Sequence, residues 1–271
     1  ALPVGGLVMS GMSELVQAVV NKRLQSSPGQ VDGEPVRLAH PETTTGLVIH
    51  RYQVALAGWK GPGVRVAHLT DFHVTDLLPL EYFQQVVRRT NAEAPDLILL
   101  TGDYITYKHM VRLLPEALSG LNSRLGVFAI LGNHDWAKAP ERVTATLKSM
   151  GVNYIGGKVV RVDGHPALAL AGEEYPWGEP APLEAWKPRR GDALLALTHT
   201  PDNIYRLTAH EAQPKAIFGG HFHGGQCRLP GFGPVVVPSA FGRRFVQGLF
   251  VVDGSHMFVS AGIGAGSPPM R

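Results

Sequence analysis

Five short apolar runs in this chain each end on residues able to hold a metal ion, and that repetition restricts the fold more than any other feature. VRVAHLT (64–70) leads into Asp71-Phe72-His73, DLILLTGD (96–103) closes on Gly102-Asp103, and VFAILGNHD (127–135) closes on Gly132-Asn133-His134-Asp135. Two later runs end alike, on Thr198-His199-Thr200-Pro201 and on Gly220-His221-Phe222-His223. Runs this short and this rich in apolar and β-branched residues read as buried strands. Parallel strands of an α/β sheet bring their carboxyl ends to one edge, where such sheets bind ligands. The pattern predicts an α/β protein whose polar strand ends converge on one crevice.

Helical patterns fill the gaps over about 80–91, 111–121 and 140–150, the last opened by Pro140 at a first-turn position. Further strands are expected at 167–172, 193–200, 215–221, 244–252 and 257–262, so strand–helix alternation gives way to denser strands and mixed sheets. Residues 1–46 differ from the rest. Met12, Leu15, Val16, Val19, Val20 and Leu24 recur at helical spacing, and a Ser-, Pro- and Gly-containing stretch follows at 26–30. A helical arm and linker are therefore expected over 1–46, ahead of a domain at 47–271. The arm reads most simply as a helix laid on that domain; its start, ALPVGGLVM, also suits peripheral contact with a membrane or an acyl chain.

Composition narrows less. The 271 residues suffice for one large α/β domain, and a hydrophobic share of 44% excludes wholesale disorder. The single cysteine, Cys227, excludes an intrachain disulfide framework and leaves the compartment open. A net charge of +3 favours anionic partners only weakly. No run is long enough to span a membrane as a helix. The chain starts at Ala1, which leaves open an upstream signal or anchor. A cytoplasmic or membrane-associated bacterial protein is the first expectation, and an exported one the second.

Taken singly, each polar strand end has a bland reading. Asp71 and His73 suit an exposed loop, Gly102-Asp103 a turn, Asn133-His134-Asp135 a helix entry and His199 a helix cap. His221 and His223 resist this, because the two-residue period of a strand would point both rings to one side. Together the residues suit two divalent cations about 3.5–4 Å apart, which clamp the attacking and leaving oxygens of an in-line displacement. One carboxylate must bridge such a pair to offset its repulsion, and Asp103, beside a glycine, is the natural choice. The mixed nitrogen and oxygen donors suit Mn, Fe, Zn or Co better than Mg or Ca.

The order D-x-H, G-D, G-N-H-D, a lone His and G-H-x-H resembles the signature of the calcineurin-like metallophosphoesterase superfamily, and the likeness runs from about Leu47 to Arg271. HLTDFHV, THTPD, GGHFHGGQ and the tail RRFVQGLF with VSAGIGAGSPPMR are similar to the subgroup of the bacterial phosphoesterases YkuE and YaeI. A UDP-2,3-diacylglucosamine pyrophosphatase of lipid A synthesis stands near that subgroup. The resemblance implies a four-layer α/β/β/α sandwich. It implies one metal held by Asp71, His73, Asp103 and His223, and a second held by Asp103, Asn133, His199 and His221. A water or hydroxide bridging the metals would be the nucleophile. His134 would not be a ligand but would face the phosphate as a general acid or transition-state stabiliser, and Asp135 would orient that neighbourhood through hydrogen bonds. The chain departs from the subgroup at AGEEYPWGEP (171–180), where relatives often carry a Gly-x-x-Asp turn. It also ends at Arg271, where relatives continue into a Pro-Pro-Glu segment and another strand.

Phosphate esters need cations or backbone donors beyond the metals. Arg243 and Arg244 are candidates, since a guanidinium pairs well with phosphate oxygens. Lys187, Arg189 and Arg190 read as a solvated loop, and Trp177 and Trp186 as packing beneath it. Nothing resembles a nucleic-acid-binding module, so the expected substrate is a small or lipid-linked phosphoester, with UDP-2,3-diacylglucosamine a specific candidate. The alternatives are a non-catalytic metal-bound scaffold and a peripheral lipid-binding protein. A scaffold would have no use for the full Asn133-His134-Asp135 set.

Overall fold

Strands covered on both faces carry apolar residues at every position, not at alternate ones. LILL at Leu97–Leu100 and ALLALT at Ala193–Thr198 are of this kind and wholly buried. The computed structural model describes residues 30–32, 46–76, 78–225, 228–229, 233–234 and 236–264. In chain order its strands are β1 (Gln30–Asp32), β2 (Ile49–Arg51), β3 (Val66–Leu69), β4 (Leu97–Leu100), β5 (Val127–Ala129), β6 (Asn153–Tyr154) and β7 (Val159–Val162). They continue with β8 (His165–Glu173), β9 (Ala193–Thr198), β10 (Ala216–Gly219), β11 (Arg228–Leu229), β12 (Gly233–Pro234), β13 (Gly248–Val252) and β14 (Ser255–Val259). The α-helices are α1 (Leu80–Ala92), α2 (Leu114–Ala117), α3 (Asn133–Lys138), α4 (Pro140–Ser149) and α5 (Ile204–Thr208).

Two sheets dominate. One runs β3-β4-β5-β6 and is parallel throughout. The other runs β13-β14-β10-β9-β8-β7, with β14, β10, β9 and β8 parallel and the two edge strands antiparallel. Side-chain alternation sorts their residues into three cores. Ile98, Leu100 and Ala129 face Phe83 and Val86 of α1 and Val143 and Leu147 of α4. Leu97, Leu99 and Phe128 face Leu168, Leu170, Leu195 and Leu197 across the space between the sheets. Ala169, Ala171, Leu194 and Ala196 face Ile204 and Leu207 of α5. The layers are therefore helix, sheet, sheet, helix, the α/β/β/α order that the resemblance implies.

Several elements differ from the sequence reading. The helix expected over 111–121 is a 3-10 helix at Lys108–Leu113 followed by the single turn α2, because Pro115 lacks the N–H that a continuing helix needs. The strand expected from 244 starts at Gly248 instead, after a run of turns. Gln30–Asp32, expected as arm and linker, forms a strand antiparallel to Ile49–Arg51. The stripe from Met12 to Leu24, Gln226, Cys227 and the tail beyond 264 lie outside the described residues. Among the described residues, no helix is long and apolar enough to cross a membrane.

Candidate metal centre

The strands that carry the candidate ligands stop short of them, at Leu69, Leu100, Ala129, Thr198 and Gly219. Beyond those points the main chain turns sharply. Asp71, His73, Asp103, His221 and His223 have φ of 51°, 42°, 55°, 71° and 48°. Of the other described non-glycine residues, only Ala94 and Asp253 share this region. Such conformations cost on the order of 1–3 kcal/mol each and persist only where the surroundings enforce them. Here neighbouring loops are laced together: the Asp71 N–H donates to Gly102 O at 2.9 Å, and the His73 N–H to Asp103 O at 2.9 Å. Gly102, at φ 96°, lies against the Leu131–Gly132 main chain with no room for a Cβ.

The turns aim the side chains inward. Asp71, His73 and His223 form one group, and Asp103, His199 and His221 another, the donor atoms of each lying within 4.8 Å of one another. His223 Nε2 is 3.4 Å from Asp71 Oδ1 and 3.1 Å from His73 Nε2. Asp103 Oδ2 reaches both groups, at 3.4 Å from His73 Nε2 and 3.3 Å from His199 Nε2. Asn133, the first residue of α3, sets Oδ1 3.0 Å from His199 Nε2. All seven expected ligand positions are thus brought together. One detail of the sequence reading is corrected. His221 and His223 lie in a turn beyond β10, not in a strand, and their positive φ sends the rings to different groups rather than to one side. Phe222 between them is buried.

Further residues hold the donors in place. Thr70 Oγ1 donates to Asp71 Oδ2 at 2.7 Å, and the His221 N–H donates to the same oxygen at 3.0 Å. Thr106 Oγ1 lies 3.3 Å from His73 Nδ1, and Thr101 O 2.8 Å from His199 Nδ1. The His134 N–H donates to Asp103 Oδ1 at 2.8 Å, and the His134 ring meets that of His73 edge-on at 4.8 Å. Asp135 is buried and accepts from the N–H groups of Tyr104 (3.0 Å), Ile105 (3.3 Å) and Gly132 (3.0 Å), closing the first turn of α3. Burial and the Asp103 carboxylate raise its pKa to about 8, against the Gly132 and Ile105 N–H groups and His199. None of the threonines stood out in the sequence, because a hydroxyl beside an acid is common. Trp177 was also missed. It does not pack beneath the basic loop; its ring stands 5.2 Å from that of His221 and 5.7 Å from that of His199. Trp186 does pack, under the Arg161 guanidinium. Arg244 lies over the rings of Tyr205 and Phe245, and Arg243 is half-buried in the same turn.

The donor set fits divalent cations. Asp71 Oδ1 is buried with no hydrogen-bond partner while two imidazole nitrogens converge near it, a costly arrangement unless a cation completes it. Burial lowers the pKa of His73 to about 4 and of His221 to about 3, the neutral state a ligand imidazole needs. For Asp71, burial acts upward, but His223, His199 and His73 bring the pKa below its ordinary value. For His199, burial acts downward, but Asp103, 3.3 Å from its Nε2, raises the pKa to about 9.

The profile of the family described as calcineurin-like phosphoesterase matches residues 64–225. The metallophosphoesterase YkuE of Bacillus subtilis is 31% identical over 77% of this chain and 75% of its own length. The phosphodiesterase YaeI of Escherichia coli is 28% identical over 79% of this chain and 80% of its own. The UDP-2,3-diacylglucosamine pyrophosphatase LpxG of Chlamydia muridarum is 34% identical over 62% of this chain and 66% of its own.

Proposed function

This chain belongs to the calcineurin-like phosphoesterase family and is a metal-dependent hydrolase; from that premise we propose that it hydrolyses a small or lipid-linked phosphodiester or pyrophosphate at a two-metal centre. Asp71, His73, Asp103 and His223 would hold one cation, and Asp103, Asn133, His199 and His221 the other. The observation that carries this reading is the reach of Asp103 Oδ2 to imidazoles of both groups, at 3.4 and 3.3 Å. When bound, such a pair polarises phosphoryl oxygens and lowers the pKa of water to near neutrality.

The protein groups would then place substrate and move a proton. Attack of water in line would form the new P–O bond and break the bond to the leaving oxygen, the water releasing one proton to solvent while the leaving oxygen takes one up. His134 donates a hydrogen bond or proton to that oxygen, its main chain tied to the same carboxylate that joins the two halves. Asp135 fixes the start of α3 and hence the direction of His134. Arg243, and Arg244 once drawn from the Tyr205 and Phe245 rings, would engage substrate phosphate. The likeness to LpxG favours UDP-2,3-diacylglucosamine as the substrate to try first.

Metal analysis joined to a phosphoester panel with Mn²⁺ tests the proposal. The panel holds bis-p-nitrophenyl phosphate, p-nitrophenyl phosphate, a nucleotide pyrophosphate and UDP-2,3-diacylglucosamine. Two metals per chain with turnover of at least one substrate is the expected result. Two metals and no turnover would favour a scaffold; fewer than two would overturn the two-metal centre.

A further inference from the structure

The segment 171–180 carries Trp177 to the His199 and His221 rings, and we infer that Trp177 is a positioning residue for that half of the metal centre. The inference rests on the two-metal reading above. The indole meets His221 at 5.2 Å and 62°, and His199 at 5.7 Å and 67°. The two imidazoles themselves stand 4.9 Å apart. An edge-to-face aromatic contact has a preferred geometry that adds to area burial, so one indole against two imidazoles restricts the orientation of both. His199 also has its Nδ1 directed at the Thr101 carbonyl, whereas the His221 ring lies among other rings, 5.2 Å from Trp177, 4.9 Å from His199 and 5.5 Å from Phe222, so its direction depends more on packing.

Trp177 could not act this way from a loose loop. The loop is clamped by two buried carboxylates at its base. Glu173 pairs with Arg206 and accepts from the Tyr175 N–H at 2.9 Å and the Ala181 N–H at 3.1 Å, which closes the loop across its neck. Glu174 points to the opposite sheet, accepting from the Leu131 N–H at 2.6 Å and the Tyr154 hydroxyl at 2.8 Å. Leu131 leads directly into Asn133 and His134. The neighbouring side chains Glu173 and Glu174 thus tie the indole to both sheets. Buried carboxylates are retained only where partners offset their desolvation, and these have such partners.

Manganese titration of the full chain, followed by the electron paramagnetic resonance signal of spin-coupled Mn²⁺ pairs, reads the two sites separately. Trp177→Ala should weaken the second manganese about 10- to 100-fold, the usual cost of removing a group that orients a ligand, and leave the first within about twofold. The coupled signal should give way to a mononuclear one at manganese levels that saturate the wild type. Trp177→Phe should restore most of the affinity, because an aromatic ring remains. Trp177→Leu, which keeps apolar bulk, carries the same expectation as alanine should the alanine variant fail to fold. Wild-type affinity for both ions in a folded Trp177→Ala or Trp177→Leu chain would overturn the inference, and so would equal loss of both. A wild-type chain that binds fewer than two ions would instead count against the two-metal reading itself.

Discussion

The two halves of the metal centre obtain their shape by different means. Asp71, His73 and His223 all sit at positive φ, so the main chain aims them, and the Thr70 and Thr106 hydroxyls only trim the result. In the other half His221 is at positive φ too, but Asn133 and His199 are not, and His199 is aimed by side chains and by a remote carbonyl: Asn133, Trp177 and Thr101 O. A half defined by its main chain should resist the loss of a neighbouring side chain and fail when a loop is forced apart. A half that also depends on packing should be the more sensitive of the two to such a loss.

Four substitutions break or sharpen this contrast, beyond those at Trp177. Asp103→Asn has the largest expected effect because Asp103 belongs to both halves: both metal affinities should fall by about 100-fold or more, and turnover should vanish, as read by metal content after gel filtration. Selective loss of one ion would assign Asp103 to a single half and end its role as the bridge. His134→Ala should keep close to two metals per chain while turnover falls by about two to four orders of magnitude. Loss of metal in that variant would make His134 a ligand, which its closeness to His73 and Asp103 makes a pointed test. Gly220→Ala places a methyl on the Asp71 carboxylate and the Thr70 hydroxyl, so it should weaken the Asp71 half about 10- to 100-fold and spare the other. The smallest effect is expected from Thr106→Val, which removes the hydroxyl 3.3 Å from His73 Nδ1: about tenfold or less, confined to the same half and visible only by titration. An equal effect on both ions in the last two variants would show that the halves do not differ as described.

Ligand chemistry depends on residue identity, which is why Asp71, His73, Asp103, Asn133, His199, His221 and His223 stood out before any geometry was known. Alternating apolar runs similarly made the layered α/β class legible. Trp177 was hidden because aromatic residues in loops most often pack into cores, and only the folded neck of its loop brings it to two histidines. The helix start at Asn133 was legible as the helix-entry reading of Asn133-His134-Asp135, after the apolar run VFAIL that reads as strand. Strand periodicity also misled at His221 and His223, since it applies only while the chain remains extended.

The sequence by itself determined which donors are available, in what order, and that they follow buried strands; these depend on chemistry and on a two-residue repeat. Which donor joins which half was decided by tertiary structure. Side-chain direction beyond a strand end depends on the φ of each turn residue, and five of these residues are held in an unfavourable region by hydrogen bonds and close packing from loops distant in the chain. No local pattern encodes those contacts, because each half exists only once separate strands have been brought side by side.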